Sequence, residues 1–242
     1  LLELRREDQS RWLERERSLR QQIANVSHDL RTPLTSILGY LQLLEDPKLP
    51  EGERREYLAV VESRAKALQS LITGFYDLSR LEGGEYPLEQ EPVNLYTSLS
   101  GLLAAFYNDF TDRNFDMTVE LAEHLPPVQA DNGGVLRVFT NLIRNALDHG
   151  RGKMTVRLWQ EGERVVSLFA NETDELTAED LPHIFDRFFT SDKMRTGRNT
   201  GLGLAIVKTL AEQMGCQLTA ELTDGMFAIR VQWPLWQGRG FG

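Results

Sequence analysis

The feature that most constrains this chain is an apolar stripe. It steps by three or four residues through Leu19, Ile23, Val26, Leu30, Leu34, Ile37, Leu41 and Leu44. That period is a helix with one narrow hydrophobic face. The segment DPKLPEG (46–52) breaks it with two prolines and a glycine. A second stripe follows through Tyr57, Val60, Val61, Arg64, Leu68, Leu71, Phe75 and Leu78. Two long helices joined by a short turn form an antiparallel hairpin, and one hairpin buries too little surface to stand alone. The expected remedy is a homodimer whose two hairpins complete a four-helix bundle.

Upstream, residues 1–24 carry dense alternating charge (REDQSRWLERERSLRQQ), the pattern of a solvated helix or weak coiled coil. The chain opens with a leucine inside that pattern, which reads as a piece of something longer. No apolar run reaches the roughly 18 residues needed to span a bilayer. The formal net charge of −9 argues against nucleic-acid binding. The single cysteine, Cys216, excludes an internal disulfide and sits in an apolar-patterned stretch, where a core position is expected.

Past residue 82 the pattern changes. GGEYPLEQEP (83–92) is linker-like, and mixed α and β signals follow. Helices are predicted near 94–112, 133–149 and 201–214, and strands at 115–121, 153–160, 163–170, 216–222 and 226–233. The fold class is therefore α+β: a helical hairpin followed by an α/β sandwich with helices on one sheet face. The expected boundaries are 1–82, a linker at 83–93, a second domain at 94–237 and a tail at 238–242. A stretch rich in charge, Gly and Asn (186–200) is a candidate flexible loop over a site.

His28 lies two residues from both Val26 and Leu30, so at ~100° per residue it points away from the apolar stripe. Thr32, four residues on, shares its face. The stripe runs in phase through Pro33, which predicts a kinked but continuous helix rather than a new start capped by Thr32. In the second domain Asn141 and Asn145 are four apart on one helix face, where two amide oxygens could hold Mg²⁺. Gly201 and Gly203 open an apolar helix whose backbone N–H groups could meet phosphates. Arg187, Lys193 and Arg195 are cationic candidates for phosphate contact.

These segments carry a family resemblance. NVSHDLRTPLTSILGY (25–40) closely resembles the phosphoacceptor box of the largest class of sensor histidine kinases. NLIRNALDH (141–149) resembles their asparagine box, IFDRFF (184–189) their phenylalanine box, and GLGLAIVK (201–208) their second glycine box. The resemblance covers about residues 20 to 235 and keeps the family's order. It implies a Bergerat-type ATP-binding domain that autophosphorylates His28 and passes the phosphoryl group to an aspartate of a response regulator. Asp29 would hold the other imidazole nitrogen, and Thr32 would serve dephosphorylation of the regulator. The nucleotide would be bound by Asn141, Asn145, His149, Asn171, Arg187, Lys193, Gly201, Leu202 and Gly203, with Mg²⁺ on Asn141 and Asn145. A cytoplasmic piece of a bacterial membrane protein, tethered through a preceding region, is the implied location.

The chain departs from the family at three points. NETDEL (171–176) replaces the first glycine box, so Asn171 stands where the adenine-reading aspartate would be. Asp148 stands where a lysine is usual, and Asn199 replaces the leading glycine of the second glycine box. These departures predict weakened nucleotide affinity. They keep open a degenerate kinase acting as a scaffold, or mainly as a phosphatase. An ATP-driven clamp sharing the ATP fold would have no use for the His28 box.

Overall fold

The computed structural model describes residues 27, 30–85, 87–190 and 201–238. The charged stretch of residues 1–24 and the start of the apolar stripe up to residue 26, together with His28, Asp29, Lys193, Arg195 and Asn199, lie outside the described residues. Two compact units divide the chain between Thr73 and Gly74.

In the first unit, α1 (30–44) is helical through Pro33, in keeping with a continuous helix rather than a start at that proline. The turn predicted at 46–52 is present, and α2 (Glu51–Glu82) follows it. Arg54 ties the two helices together by donating to the carbonyls of Leu44 (3.2 Å) and Asp46 (3.3 Å), which satisfies orphan carbonyls at the end of α1. The Tyr40 and Tyr57 rings meet with centroids 5.3 Å apart. The facing sides of α1 and α2 are half-buried, while Leu34, Leu38, Leu41 and Leu58 stay 43–54% exposed.

The last stretch of α2, from Gly74, belongs to the second unit. Leu78 and Leu81 are buried there, whereas Phe75, which the stripe would turn inward, is exposed. Asp77 accepts from Arg137 at 2.5 Å, and the Leu81 carbonyl accepts from Gln213 Nε2 at 2.8 Å. The packed part of the second unit thus begins before residue 82, because the helix supplies it with apolar side chains and a carbonyl.

The second unit is a five-stranded sheet under helices. Strand order is β2 (Asp116–Leu121), β4 (Arg151–Glu161), β5 (Arg164–Glu172), β7 (Met226–Pro234), β6 (Gln217–Thr223). Only β2 and β4 run parallel; the other neighbours are antiparallel. Helices α3 (Leu95–Ala105), α4 (Tyr107–Asp112), α5 (Asn132–His149) and α6 (Gly203–Gln213) complete the unit. All five strands, α5 and α6 lie where the period-2 and period-3.6 patterns put them, while the helix expected near 94–112 is split at Phe106 into α3 and α4. Two short strands escaped that reading: β1 (Glu91–Val93), inside the expected linker, pairs antiparallel with β3 (Val128–Ala130).

The core forms where α5 meets the sheet. Phe139 sits 5.6 Å from Phe169 and 5.5 Å from Trp233, centroid to centroid. Trp233 is fully buried, and its indole N–H donates to the buried Ser167 hydroxyl at 3.0 Å. That pairing lets a polar tip enter the core without an orphan donor.

Candidate functional site

Helix α5 sets the site. Asp131 caps it by accepting from Gly134 N–H at 2.6 Å. Val135, Val138, Phe139, Leu142, Ile143, Ala146 and Leu147 form its buried face. With that face fixed on the sheet, Asn141, Asn145 and His149 fall along one flank, each half-buried.

Asn141 donates its amide to the Arg137 carbonyl at 2.8 Å, which turns its oxygen outward. That oxygen lies 3.3 Å from where a Cβ of Gly203 would sit. The asparagine box and the second glycine box therefore meet at one place. Among the described residues, no hydrogen bond commits the Asn145 amide. Amide oxygens at these two positions would suit Mg²⁺, which prefers oxygen and completes its sphere with water and phosphate oxygens. No group of three His, Cys, Asp or Glu side chains gathers to hold a metal among the described residues.

Gly201 takes φ +63°, a conformation that favours glycine. A Cβ there would lie 2.7 Å from the Phe188 carbonyl carbon and the Phe189 oxygen, and Phe188 N–H donates to Gly201 O at 3.0 Å. Phe188 itself sits at φ +61°. The phenylalanine box and the start of the glycine box are thus clasped backbone to backbone. Leu202 is buried, and α6 starts beyond it with no side-chain cap. Arg187 forms an ion pair with Glu82 at the end of α2.

Asn171 is 3% exposed at the end of β5. Its Nδ2 donates to the Glu172 carbonyl at 3.1 Å, and Gly150 packs beside it. The NETDEL segment that follows is held by polar contacts rather than glycines. His149 Nδ1 meets Glu175 Oε2 at 3.2 Å, and Arg151 pairs with Asp174 at 2.8 Å. Thr173 N–H donates to Gly225 O at 2.8 Å, and Glu175 N–H donates to Thr173 Oγ1 at 3.2 Å.

Two residues were missed in the sequence. Arg113, from the turn after α4, donates to the Leu147 carbonyl and pairs with Asp148 at 3.3 Å. It sets a cation beside the acid that replaces the expected lysine. Asp77 braces Arg137, whose carbonyl orients Asn141. Both contacts join segments more than thirty residues apart, and no local pattern announces them. Thr32 is exposed on α1.

Both halves of the chain resemble known proteins. Residues 18–84 match the His Kinase A (phospho-acceptor) domain. Residues 130–237 match the histidine kinase-, DNA gyrase B-, and HSP90-like ATPase domain. The chain is 28% identical to sensor histidine kinase YcbM of Bacillus subtilis, over 89% of this chain and 71% of that protein. It is 30% identical to sensor protein VanS of Enterococcus faecium, over 86% of this chain and 55% of VanS. It is 33% identical to sensor histidine kinase TrcS of Mycobacterium tuberculosis, over 90% of this chain but only 44% of TrcS. Among solved structures, histidine kinase ThkA in complex with response regulator protein TrrA superposes with a TM-score of 0.75 at 22% identity, covering 92% of this chain and 64% of that one. Full-length ShkA in complex with AMPPNP gives a TM-score of 0.63 at 25% identity, covering 89% of this chain and 46% of that one. With a phosphoacceptor domain and an ATPase domain in this order on one chain, the protein belongs to the sensor histidine kinases of two-component systems.

Proposed function

We propose that the chain transfers the γ-phosphoryl group of ATP to His28 and then to an aspartate of a response regulator receiver domain. The observation that carries the donor half is Asn141 Oδ1 turned toward Gly203, 3.3 Å from its absent Cβ. It joins an oxygen donor on α5 to the N-terminus of α6, where N–H groups favour phosphate. Mg²⁺, held by Asn141 and Asn145 with the nucleotide's own oxygens, would offset charge on the β- and γ-phosphates. Arg187 and Lys193 are the side-chain cations assigned to the same end of the nucleotide. Gly201 and Leu202 shape the approach, and Asn171 and His149 lie toward the base.

In the acceptor half, a neutral imidazole nitrogen of His28 attacks the γ-phosphorus. A P–N bond forms, the bond to the bridging oxygen breaks, and ADP leaves. Asp29 takes the hydrogen bond, and finally the proton, of the other ring nitrogen. The chemistry needs positioning more than covalent help from the protein. Thr32 is assigned to the reverse activity, orienting water toward the regulator's phospho-aspartate. The exposed leucines of α1 and α2 support a homodimeric four-helix bundle. Attachment to a membrane through a preceding region belongs to the same reading; no helix among the described residues is long and apolar enough to cross one.

Incubation with [γ-³²P]ATP and Mg²⁺, followed by a receiver domain, tests the scheme. Label should enter the chain first and then leave it for the receiver. Thr32→Ala should slow loss of label from the receiver while sparing the first step. A chain that takes no label and binds no ATP analogue would instead be a scaffold.

A further inference from the structure

The last turns of α2 reach the nucleotide site at several points. At Gly74 a Cβ would lie 3.3 Å from Leu202 Cδ1, so the helix passes against the start of the second glycine box. Asp77 pairs with Arg137, whose carbonyl orients Asn141. Glu82, the last residue of α2, pairs with Arg187. This last contact differs from the others because it engages a cation assigned to the phosphates. Arg187 precedes Phe188, whose N–H donates to Gly201 O, so its backbone stands beside the glycine box. Its guanidinium meets Glu82 instead, about 12 Å of helix beyond Gly74. Glu82 also sits at the negative end of the helix dipole, where a carboxylate is unfavourable unless a cation offsets it.

We propose that Glu82 competes with the nucleotide phosphates for Arg187, so that the docked end of α2 holds the ATP site in a weaker-binding state. This rests on the reading above, in which Arg187 serves the phosphates. Held by a carboxylate, the guanidinium forfeits a charge-assisted bond to phosphate; released, it can swing back toward the glycine box. Nucleotide binding and docking of α2 are then linked in both directions. Phosphate that captures Arg187 loosens the end of α2, and loosening that end tightens ATP by the same factor. Since α2 is one helix from Glu51 to Glu82, the element that governs Arg187 is continuous with the second arm of the hairpin.

A non-hydrolysable ATP analogue with Mg²⁺ is titrated by calorimetry into the whole chain as wild type, Glu82→Gln, Arg187→Ala and the double variant. Glu82→Gln keeps a neutral acceptor and should tighten the analogue about three- to tenfold. Glu82→Ala, which removes the acceptor, should tighten it at least as much. Both Glu82 variants should stay folded, because losing an acid at the end of the helix offsets the lost pair. Arg187→Ala should weaken binding, and in that background Glu82→Gln should change nothing. Unchanged or weaker binding in the Glu82 variants would overturn the proposal, since the guanidinium would then serve carboxylate and phosphate together. So would a tightening that survives Arg187→Ala. Wild-type affinity in Arg187→Ala would remove Arg187 from the phosphates and overturn it as well. A wild type that binds no analogue fails the nucleotide-site reading itself and takes the proposal with it.

Discussion

Replacing Gly203 with alanine should weaken binding of Mg²⁺-ATP while leaving the fold intact. The new Cβ would sit 3.3 Å from Asn141 Oδ1 and 4.0 Å from its Cγ, so the carboxamide must yield by a few tenths of an ångström. It cannot rotate freely, because its Nδ2 is bonded to Arg137 O at 2.8 Å. Holding that bond displaces the oxygen; breaking it costs about 1 kcal/mol. Either way the metal-facing oxygen moves, and affinity should fall about three- to tenfold. Stability has no reason to follow. Gly203 is the first residue of α6 and is not in the left-handed region, where alanine would be strained. Alanine in a helix is favoured over glycine by up to about 1 kcal/mol, so the melting temperature should hold or rise. Calorimetric titration with a non-hydrolysable ATP analogue reads the affinity, and a repeat in EDTA should bring variant and wild type together. Equal Mg²⁺-dependent affinities in the two proteins would refute the placement of Asn141 at the metal.

Other consequences concern the framework. Ser167→Ala leaves the buried Trp233 N–H without its acceptor and should lower unfolding free energy by about 1–2 kcal/mol in urea; an unchanged midpoint would contradict the core assignment. Burial pushes the Cys216 thiol up to about 12, so it stays protonated well above pH 8. Ellman's reagent at that pH should react slowly with native protein and quickly in urea, where a thiol near its ordinary value of about 8.5 is partly ionised. The Asp77–Arg137 pair is only 30% and 27% exposed, and a double-mutant cycle should give a coupling of about 1 kcal/mol. A coupling indistinguishable from zero would remove the brace between the end of α2 and α5.

Much of this was legible in the chain because the strongest signals are local. Helix α5 was expected at 133–149 and runs Asn132–His149, since its apolar residues repeat at 3.6 and Asp131 caps it. Strand β7 follows the alternation of MFAIRVQW almost residue for residue. Strands β1 and β3 were invisible for the opposite reason: three residues each, one containing Pro92, are too short to show a period. The division near Thr73 was equally hidden, because the stripe of α2 reads the same whichever unit covers it. Asparagine spacing marked Asn141 and Asn145, but not how Asn141 is oriented. The Arg137 carbonyl sets that orientation, and the oxygen then meets Gly203, 62 residues away in the chain and brought alongside by the packing of α6 on α5. Asp148, read alone as a reversed charge, is accompanied by Arg113.

The central claim is that His28 receives the phosphoryl group. It is tested most directly by incubating wild type and His28→Gln with [γ-³²P]ATP and Mg²⁺, then challenging the label with acid and alkali. Wild type should carry label that acid removes and alkali spares, as a P–N bond requires, and the variant should carry none while still binding an ATP analogue. Undiminished labelling of the variant, or label that survives acid, would contradict the account.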